Sequence, residues 1–227
     1  MVETILVETE CVLCGARSQQ PMVSLAPALG LPDLDSRPAE QARSALPYGV
    51  QRCPECNYCA TDISLEYPEA EWVARGPDYQ KLLRRRSLPE KAREFLAWSL
   101  IELASGEFGG AGWSALRAAW VCDDAEKPKA AVECRQLALE RFLRQRTQRG
   151  HITALDEPGL AELVLADLYR RTEQYNPAAR WARQGLAGAP AEIVRAALEM
   201  ELALADDQDP AQHSLEELPG ISQESPG

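Results

Sequence analysis

The chain has 227 residues, 45% of them hydrophobic, and its 35 acidic and 24 basic side chains give a net charge of −11. This length predicts one elaborated domain or two small ones, with a hydrophobic fraction that is ordinary for a globular protein. No apolar run approaches the roughly 20 residues of a membrane-spanning helix, and residues 1–10 carry acids where a signal peptide carries bases. We therefore expect a cytoplasmic protein that does not enter a membrane.

Residues 1–66 are predicted to form a small β-structured zinc ribbon with a long inserted loop. Short β-prone runs at residues 2–10 and 48–52 each lead into a cysteine pair. Between these pairs, residues 26–47 contain four prolines, which predicts a long Pro-rich loop without regular structure.

Two Cys-x2-Cys pairs, Cys11 with Cys14 and Cys53 with Cys56, carry the clearest chemical signal. Reduced thiols are expected in a chain without an export signal, so this spacing favours a metal site over disulfides. Two intervening residues let a tight turn present both sulfurs to one ion, and each pair is followed by glycine or asparagine, which accept a left-handed backbone. We predict one structural Zn²⁺ bound by all four thiolates, with no coordination position open for catalysis.

Cys59 extends the second pair to Cys-x2-Cys-x2-Cys and leaves three roles open. A spare thiol packed beside the ribbon is the favoured interpretation. The alternatives are an iron–sulfur ligand, although no fourth cysteine follows at ferredoxin spacing, and a redox-sensing thiol that attacks a zinc-bound cysteine.

Residues 67–205 are predicted to form an α-helical domain. Of the 34 alanines, 24 lie between residues 92 and 205, and apolar residues recur at spacings of three and four. Glycine and proline divide this part into seven predicted helices: one starting near Glu69 and interrupted at Gly76-Pro77, one ending at Gly106, and helices over residues 111–122, 127–149, 157–173, 177–187 and 190–205.

The last helices carry a repeat signal. Residues 159–192 match a tetratricopeptide unit, a helix–turn–helix of about 34 residues. The matching positions are Leu165, Ala166, Tyr169, Ala178 and Pro190, with Gly185 where alanine is usual. Since no helix breaker lies near residue 142, we predict irregular tetratricopeptide-like hairpins, with a generic alanine-rich bundle as the alternative.

Residues 206–227 are predicted to be an acidic disordered tail. Six acidic and no basic side chains lie between residues 205 and 227, together with several prolines and glycines. A segment of this composition has too little apolar surface to order itself.

Two further features have both a ligand-binding and a purely structural interpretation. Asp33, Asp35 and Arg37 lie in a proline-bounded loop, where internal pairing that orders the loop is favoured over ligand or partner binding. For the basic cluster at residues 81–93, a solvated helix face is the favoured interpretation, and binding of phosphate or an acidic partner is the alternative.

The cysteine motif Cys11-Val-Leu-Cys14-Gly, the loop Pro32-Asp-Leu-Asp-Ser-Arg-Pro38 and the run from Tyr48 to Ala60 resemble an uncharacterised bacterial domain-of-unknown-function family. The resemblance covers residue 8 to about residue 190. It implies a zinc ribbon with four cysteine ligands followed by tetratricopeptide-like helices, and no biochemical activity.

These observations predict a mainly α protein with a small β zinc ribbon and a non-enzymatic role. We expect a zinc-stabilised scaffold or adaptor whose helical-repeat surface binds a protein or peptide. The alternative is a nucleic-acid-associated protein that uses the ribbon and the 81–93 cluster, although few aromatic residues near the ribbon offer stacking platforms. No phosphate-binding loop or hydrolase motif indicates an enzyme.

Overall fold

Two short antiparallel β-ladders form in the cysteine-rich part of the chain. In this computed structural model, which describes residues 3–23 and 27–219, strand β1 (Thr4–Glu10) pairs with β2 (Arg17–Val23). Strand β3 (Gln51–Arg52) pairs with β4 (Cys59–Ala60). The small β-structure predicted near the N-terminus is therefore confirmed.

Helices account for most of the remaining structure, as predicted, and the described residues contain nine rather than seven. They are α1 (Ala42–Ala45), α2 (Ala70–Arg75), α3 (Pro77–Leu83), α4 (Glu90–Ala104), α5 (Phe108–Asp124), α6 (Pro128–Arg149), α7 (Leu160–Arg170), α8 (Tyr175–Ala187) and α9 (Glu192–Asp206). The extra helices arise where Gly76-Pro77 separates α2 from α3 and where the proline-rich loop forms α1. No helix of this set has both the length and the apolar character needed to cross a bilayer.

The chain divides into two compact units, and their boundaries differ from those predicted at residues 66 and 205. The N-terminal unit contains residues 1–27 and 44–150, and the C-terminal unit contains residues 28–43 and 151–227. The ribbon shares its unit with helices up to α6 because its second hairpin packs on them. The Tyr79 hydroxyl of α3 accepts a hydrogen bond from Cys59 N (2.9 Å), and Arg52 pairs with Glu90 (3.3 Å) of α4.

In the N-terminal unit, small residues let α4, α5 and α6 pack closely. Helices α5 and α6 run antiparallel, since Asp123 pairs with Arg135 at one end and Gly112 faces Phe142 toward the other. A Cβ atom at Gly112 would lie 2.5 Å from the Phe142 ring. The glycine-rich start of α5 is therefore a packing surface for the neighbouring helices.

Adding a methyl group at Gly112 is expected to separate α5 from α6. Gly112→Ala should lower the free energy of unfolding by about 1–3 kcal/mol, because the rigid Phe142 ring must shift. Urea unfolding followed by tryptophan fluorescence measures this, since four of the five tryptophans lie in this unit. Gly49→Ala in the same unit is the matched control, because a Cβ atom there would lie no closer than 3.7 Å to the Phe95 ring, so that stability should change by no more than about 1 kcal/mol. Equal losses in both variants would contradict this explanation.

The C-terminal unit contains α7, α8 and α9, which pack around buried alanine and leucine side chains. Gly185, which occupies a usual alanine position of the repeat, is needed here for close approach. A Cβ atom there would lie 2.8 Å from both Leu198 and the Glu162 Cβ. The helical hairpins are thus present, and their tetratricopeptide-like character stays a prediction.

Residues 206–219, which were expected to be disordered, are ordered in this unit. Ser214 pairs with Asp33 in an antiparallel bridge, and Leu34 N donates to His213 O (3.0 Å). Ser214 also caps a short 3-10 helix together with Glu217, and Leu218 is buried in the same core as Leu34. The correction has a physical reason, because residues 28–43 supply backbone partners and apolar contacts that local composition does not show. Residues 220–227 of the predicted tail lie outside the described residues.

A buried ion-pair network connects α7, α9 and the segment after α9. The Arg170 guanidinium, which is fully buried, donates to Glu201 (2.9 and 3.1 Å) and to Asp167 (2.7 Å). It also donates to the backbone oxygens of Asp209 (2.8 Å) and Ala211 (2.7 Å). One side chain therefore holds the end of the chain against two helices.

Replacing Arg170 removes the only cation of this network among the contacts described. Arg170→Met should destabilise the C-terminal unit by about 3–5 kcal/mol, because the buried Glu201 and Asp167 carboxylates lose the guanidinium that bonds both of them. Hydrogen exchange read by mass spectrometry should show faster exchange in α7, α9 and residues 209–218. Arg180→Met, at an exposed position of α8, is the control and should change stability by no more than about 0.5 kcal/mol. Unchanged protection of residues 209–218 in Arg170→Met would show that this network does not hold the segment.

Candidate metal centre

The first cysteine pair lies in a tight turn directly after β1. Cys11 N donates to Ala16 O (2.9 Å), and Gly15 N donates to Cys11 O (2.8 Å). Gly15 adopts the left-handed backbone that the sequence predicted, with φ of 71°. The turn leaves Cys11 buried and Cys14 exposed.

The second pair lies in a turn with the same hydrogen bonds, between β3 and β4. Cys53 N donates to Tyr58 O (2.8 Å), and Asn57 N donates to Cys53 O (3.0 Å). Asn57 has φ of 65°, which makes it the equivalent of Gly15. Because the two turns repeat each other, each presents two sulfurs in the same local geometry.

The four sulfurs converge on one point. Cys11 Sγ lies 3.6 Å from Cys56 Sγ, Cys14 Sγ lies 3.6 Å from Cys53 Sγ, and all four lie within 4.8 Å of one another. A disulfide needs about 2.0 Å, so these are four free thiols. Metal–sulfur distances of about 2.3 Å in a tetrahedron place the sulfurs about 3.8 Å apart. The residues therefore fit one tetrahedral metal ion.

Backbone N–H groups point at the sulfurs and favour their charged form. Leu13 and Cys14 donate to Cys11 Sγ, and Tyr58 donates to Cys56 Sγ, while burial, the larger effect, raises the pKa of both thiols. The Ala16 N–H lowers the pKa of the exposed Cys14. A cation at the centre of four sulfurs offsets the cost of burying thiolates, so this donor set suits a thiophilic metal.

Two glutamine side chains, which the sequence analysis did not identify, hold the turns together. Gln51 accepts a hydrogen bond from Ile63 N (3.1 Å), while Ile63 O accepts one from Val12 N (2.9 Å) in the first turn. Gln20 of β2 donates to Arg52 O (3.1 Å) and so connects the two ladders. Both glutamines are buried. The sequence gives little indication of this role beyond the position of Gln51 two residues before Cys53.

Arg52 connects the second turn to helix α4. Its guanidinium donates to Asn57 Oδ1 (2.5 and 3.2 Å) and pairs with Glu90 (3.3 Å) and Glu94 (3.7 Å). Asn57, which has the left-handed backbone of the second turn, is therefore connected through Arg52 to helix α4.

Cys59 is not part of the sulfur cluster. Its thiol is fully buried, burial raises its pKa to about 12, and it donates to Asn57 O at 3.5 Å. Its sulfur is not among the four that lie within 4.8 Å of one another, and a thiol that stays protonated at neutral pH is a poor nucleophile. This placement agrees with a spare thiol beside the ribbon.

The Asp33–Arg37 loop uses its charges internally. Asp33 accepts from Arg43 (2.8 Å) and Gln212 (2.6 Å), and Asp35 accepts from the Arg37 backbone N–H (3.1 Å). Burial, and then the neighbouring Asp35, raise the pKa of Asp33. The side chains of Asp33, Asp35 and Arg37 are all buried, so they belong to the interior of the C-terminal unit.

The basic cluster at residues 81–93 divides its charges between local contacts and solvent. Arg85 forms a two-bond ion pair with Glu133 (2.5 and 2.6 Å), Lys91 pairs with Glu94 (2.7 Å), and Arg93 donates to Leu83 O (2.9 Å). Arg84 also donates to Gln80 O (2.9 Å), so four bases of the cluster are engaged within the N-terminal unit.

We expect the intact protein to bind one metal ion per chain through these four sulfurs. Cys11→Ser should lose most of this metal, because it removes one of four thiolates from a closed site, while helices α4 to α9 keep their circular dichroism signal. Inductively coupled plasma mass spectrometry on protein purified without added metal measures the content. Cys59→Ser is the matched control and should retain the metal. Equal metal content in Cys11→Ser and the unchanged protein would exclude the site.

Comparison with known proteins identifies the family of this chain. No curated protein and no solved structure matches it. A family model described as an uncharacterized protein conserved in bacteria, DUF2225, matches residues 9–200. The match includes both cysteine turns and extends into α9. Because it covers most of the 227 residues, the chain belongs to the DUF2225 family of bacterial proteins.

Proposed function

We propose that this protein is a non-enzymatic scaffold held together by one structural Zn²⁺, which binds a protein or peptide on its helical hairpins. The observation that carries the proposal is the convergence of four cysteine sulfurs within 4.8 Å. Such a set leaves no coordination position for a substrate, so the ion would act on folding.

Zinc is the metal that this site suits best. Four thiolates in tetrahedral geometry select zinc or iron, and paired Cys-x2-Cys turns have a ligand spacing that is typical of structural Zn²⁺ sites. Residues Cys11, Cys14, Cys53 and Cys56 would hold it. The metal analysis described above should therefore return zinc, and iron in its place would overturn this assignment.

The titratable groups with raised pKa values support a role without catalysis. Burial raises the pKa of Glu102 to about 7, but this carboxylate accepts from Ser114 (2.6 Å) within the packing of α4 and α5. Burial likewise raises the pKa of Glu201, which is fully enclosed with Arg170. Carboxyl groups with raised pKa values often mark active sites. Glu102 and Glu201, however, each form a hydrogen bond or ion pair to a neighbouring helix.

A surface hollow on α8 and α9 offers a place for a peptide. It has a volume of about 500 Å³ and is lined by the start of α8, including Tyr175 and Asn176, and by Arg183, Asp206 and Gln208. An amide side chain, an aromatic ring and charges of both signs match the backbone and side-chain groups of an extended peptide. Tyr175 is also the aromatic residue that begins the second helix of the predicted repeat unit.

A photo-crosslinking residue in this hollow tests the proposal on the full chain. Placed at Asn176, it should give a discrete protein adduct in a lysate of the source bacterium, and Arg183→Glu should reduce that adduct several-fold because it reverses a charge of the hollow. The same photo-crosslinking residue at Glu140, an exposed position of α6, is the matched control and should not give the adduct.

Two results together would overturn the proposal in favour of nucleic-acid association. The first is that Asn176 gives no adduct beyond that of the control. The second is that the protein retains nucleic acid whose binding weakens steeply with salt and is lost on changing Arg84, Arg85 and Arg86 to Glu.

A further inference from the structure

Trp72 of helix α2 is exposed to solvent although tryptophan has the largest apolar side chain of any residue. Its exposed fraction is 75%, the highest among the large hydrophobic residues in the part of the chain that the structure describes. Val12 of the ribbon, which lines the same hollow as Trp72, is also exposed, at 41%. Clustered exposed apolar residues of this kind mark interaction surfaces more often than single ones do.

The Trp72 side chain borders two hollows. One has a volume of about 430 Å³ and is lined by Val12, Leu13 and residues 66–72. The other has a similar volume, about 430 Å³, and is lined by Glu71, Trp72, Arg75 and Gly76. Together these residues form what we call the Trp72 groove, and each half falls within the size range of ligand pockets.

The walls of the Trp72 groove are fixed by contacts with buried parts of the N-terminal unit. Tyr67 packs edge-on against Trp98 of α4, with ring centroids 4.5 Å apart, and Pro68 O accepts from Ser105 Oγ (2.5 Å). On the ribbon side, Val12 N donates to Ile63 O (2.9 Å). Because these walls are already ordered, binding of a partner would cost little conformational entropy in the groove itself.

The charges around the groove select a basic partner. Glu66, Glu69 and Glu71 are all exposed on its wall, whereas Arg75 is the one base that lines it and pairs with Glu71 (2.7 Å). An indole ring attracts lysine and arginine side chains through cation–π contact, and carboxylates attract the same side chains through charge. Both chemical features of the groove thus favour the same class of ligand.

We propose that the Trp72 groove binds a segment of another protein in which lysine or arginine side chains alternate with apolar ones. The apolar side chains would enter the hollows beside Trp72, and the basic side chains would face Glu66 and Glu69 or lie over the indole ring. This surface consists of other residues than the hollow on α8 and α9, so the two proposals can fail separately.

The test uses the full metal-loaded chain and a short fluorescein-labelled peptide of alternating arginine and leucine. Fluorescence anisotropy should show saturable binding that weakens as salt rises. Trp72→Ala should weaken binding at least about tenfold, as expected for a central aromatic contact. The double variant Glu66→Lys/Glu69→Lys should weaken it to a similar degree and remove most of the salt dependence, while the α8 crosslink stays unchanged.

Three controls separate the groove from general charge and stickiness. Ile5→Ala removes an exposed apolar side chain of β1, and Glu3→Lys/Glu140→Lys makes the same net charge change outside the groove; both should leave the peptide affinity unchanged. A peptide with glutamate in place of arginine should not bind. Circular dichroism and metal content verify that each variant is folded.

The proposal is overturned if the arginine–leucine peptide shows no saturable binding, or if Trp72→Ala binds it as tightly as the unchanged protein. It is equally overturned if sedimentation shows that the groove is occupied by a second copy of the chain, with a dimer that Trp72→Ala dissociates.

Discussion

Four sulfurs held within 4.8 Å of one another are the constraint on which the ribbon of the N-terminal unit depends. The pairs are separated by 38 residues of sequence, and the strands beside them expose apolar side chains such as Ile5 and Leu6. Two-stranded ladders such as these have little stability of their own in water. A structural metal ion of this type contributes on the order of 10 kcal/mol, which is comparable to the stability of a whole domain.

This constraint extends from the ribbon into the helices through a few polar contacts. Asn57, which the second turn requires for its left-handed backbone, accepts two hydrogen bonds from Arg52, and Arg52 pairs with Glu90 and Glu94 of α4. Tyr79 of α3 accepts from Cys59 N and donates to Asn57 O. The geometry of the metal turns and the position of the first helices are therefore coupled, and the ribbon is part of a larger unit.

Local chemistry explains why the cysteine turns and most helices could be predicted from sequence. The spacing within each cysteine pair, the left-handed Gly15 and Asn57, and the stop of α6 at Gly150 all follow from interactions between residues that are close in the chain. The helix predicted over residues 111–122 begins at Phe108 in the structure, because the glycines at the start of α5 have the same sequence signature for flexibility and for close packing. Only the facing Phe142 ring distinguishes the two.

The order of residues 206–219 could not be predicted, since its partners lie about 180 positions earlier. Leu34 N donates to His213 O, and Asp33 forms a β-bridge with Ser214, so each pair joins positions that α7, α8 and α9 separate in sequence. A local signal did exist in Ser214-Leu-Glu-Glu217, which has the pattern of a capping box. The acidic composition of the surrounding segment predicted disorder instead, because composition takes no account of the distant residues that a segment packs against.

The placement of Val12 and Leu13 gives the ribbon a property that neither the metal site nor the groove has alone. These residues lie between two of the four cysteines and also line the Trp72 groove. An occupant that contacts them and prefers the metal-loaded turn to the empty one would, because linkage is reciprocal, raise the metal affinity by the same factor as the metal raises its own affinity. The ion would then exchange more slowly with chelators while the occupant is in place, so that metal retention would report binding in the groove.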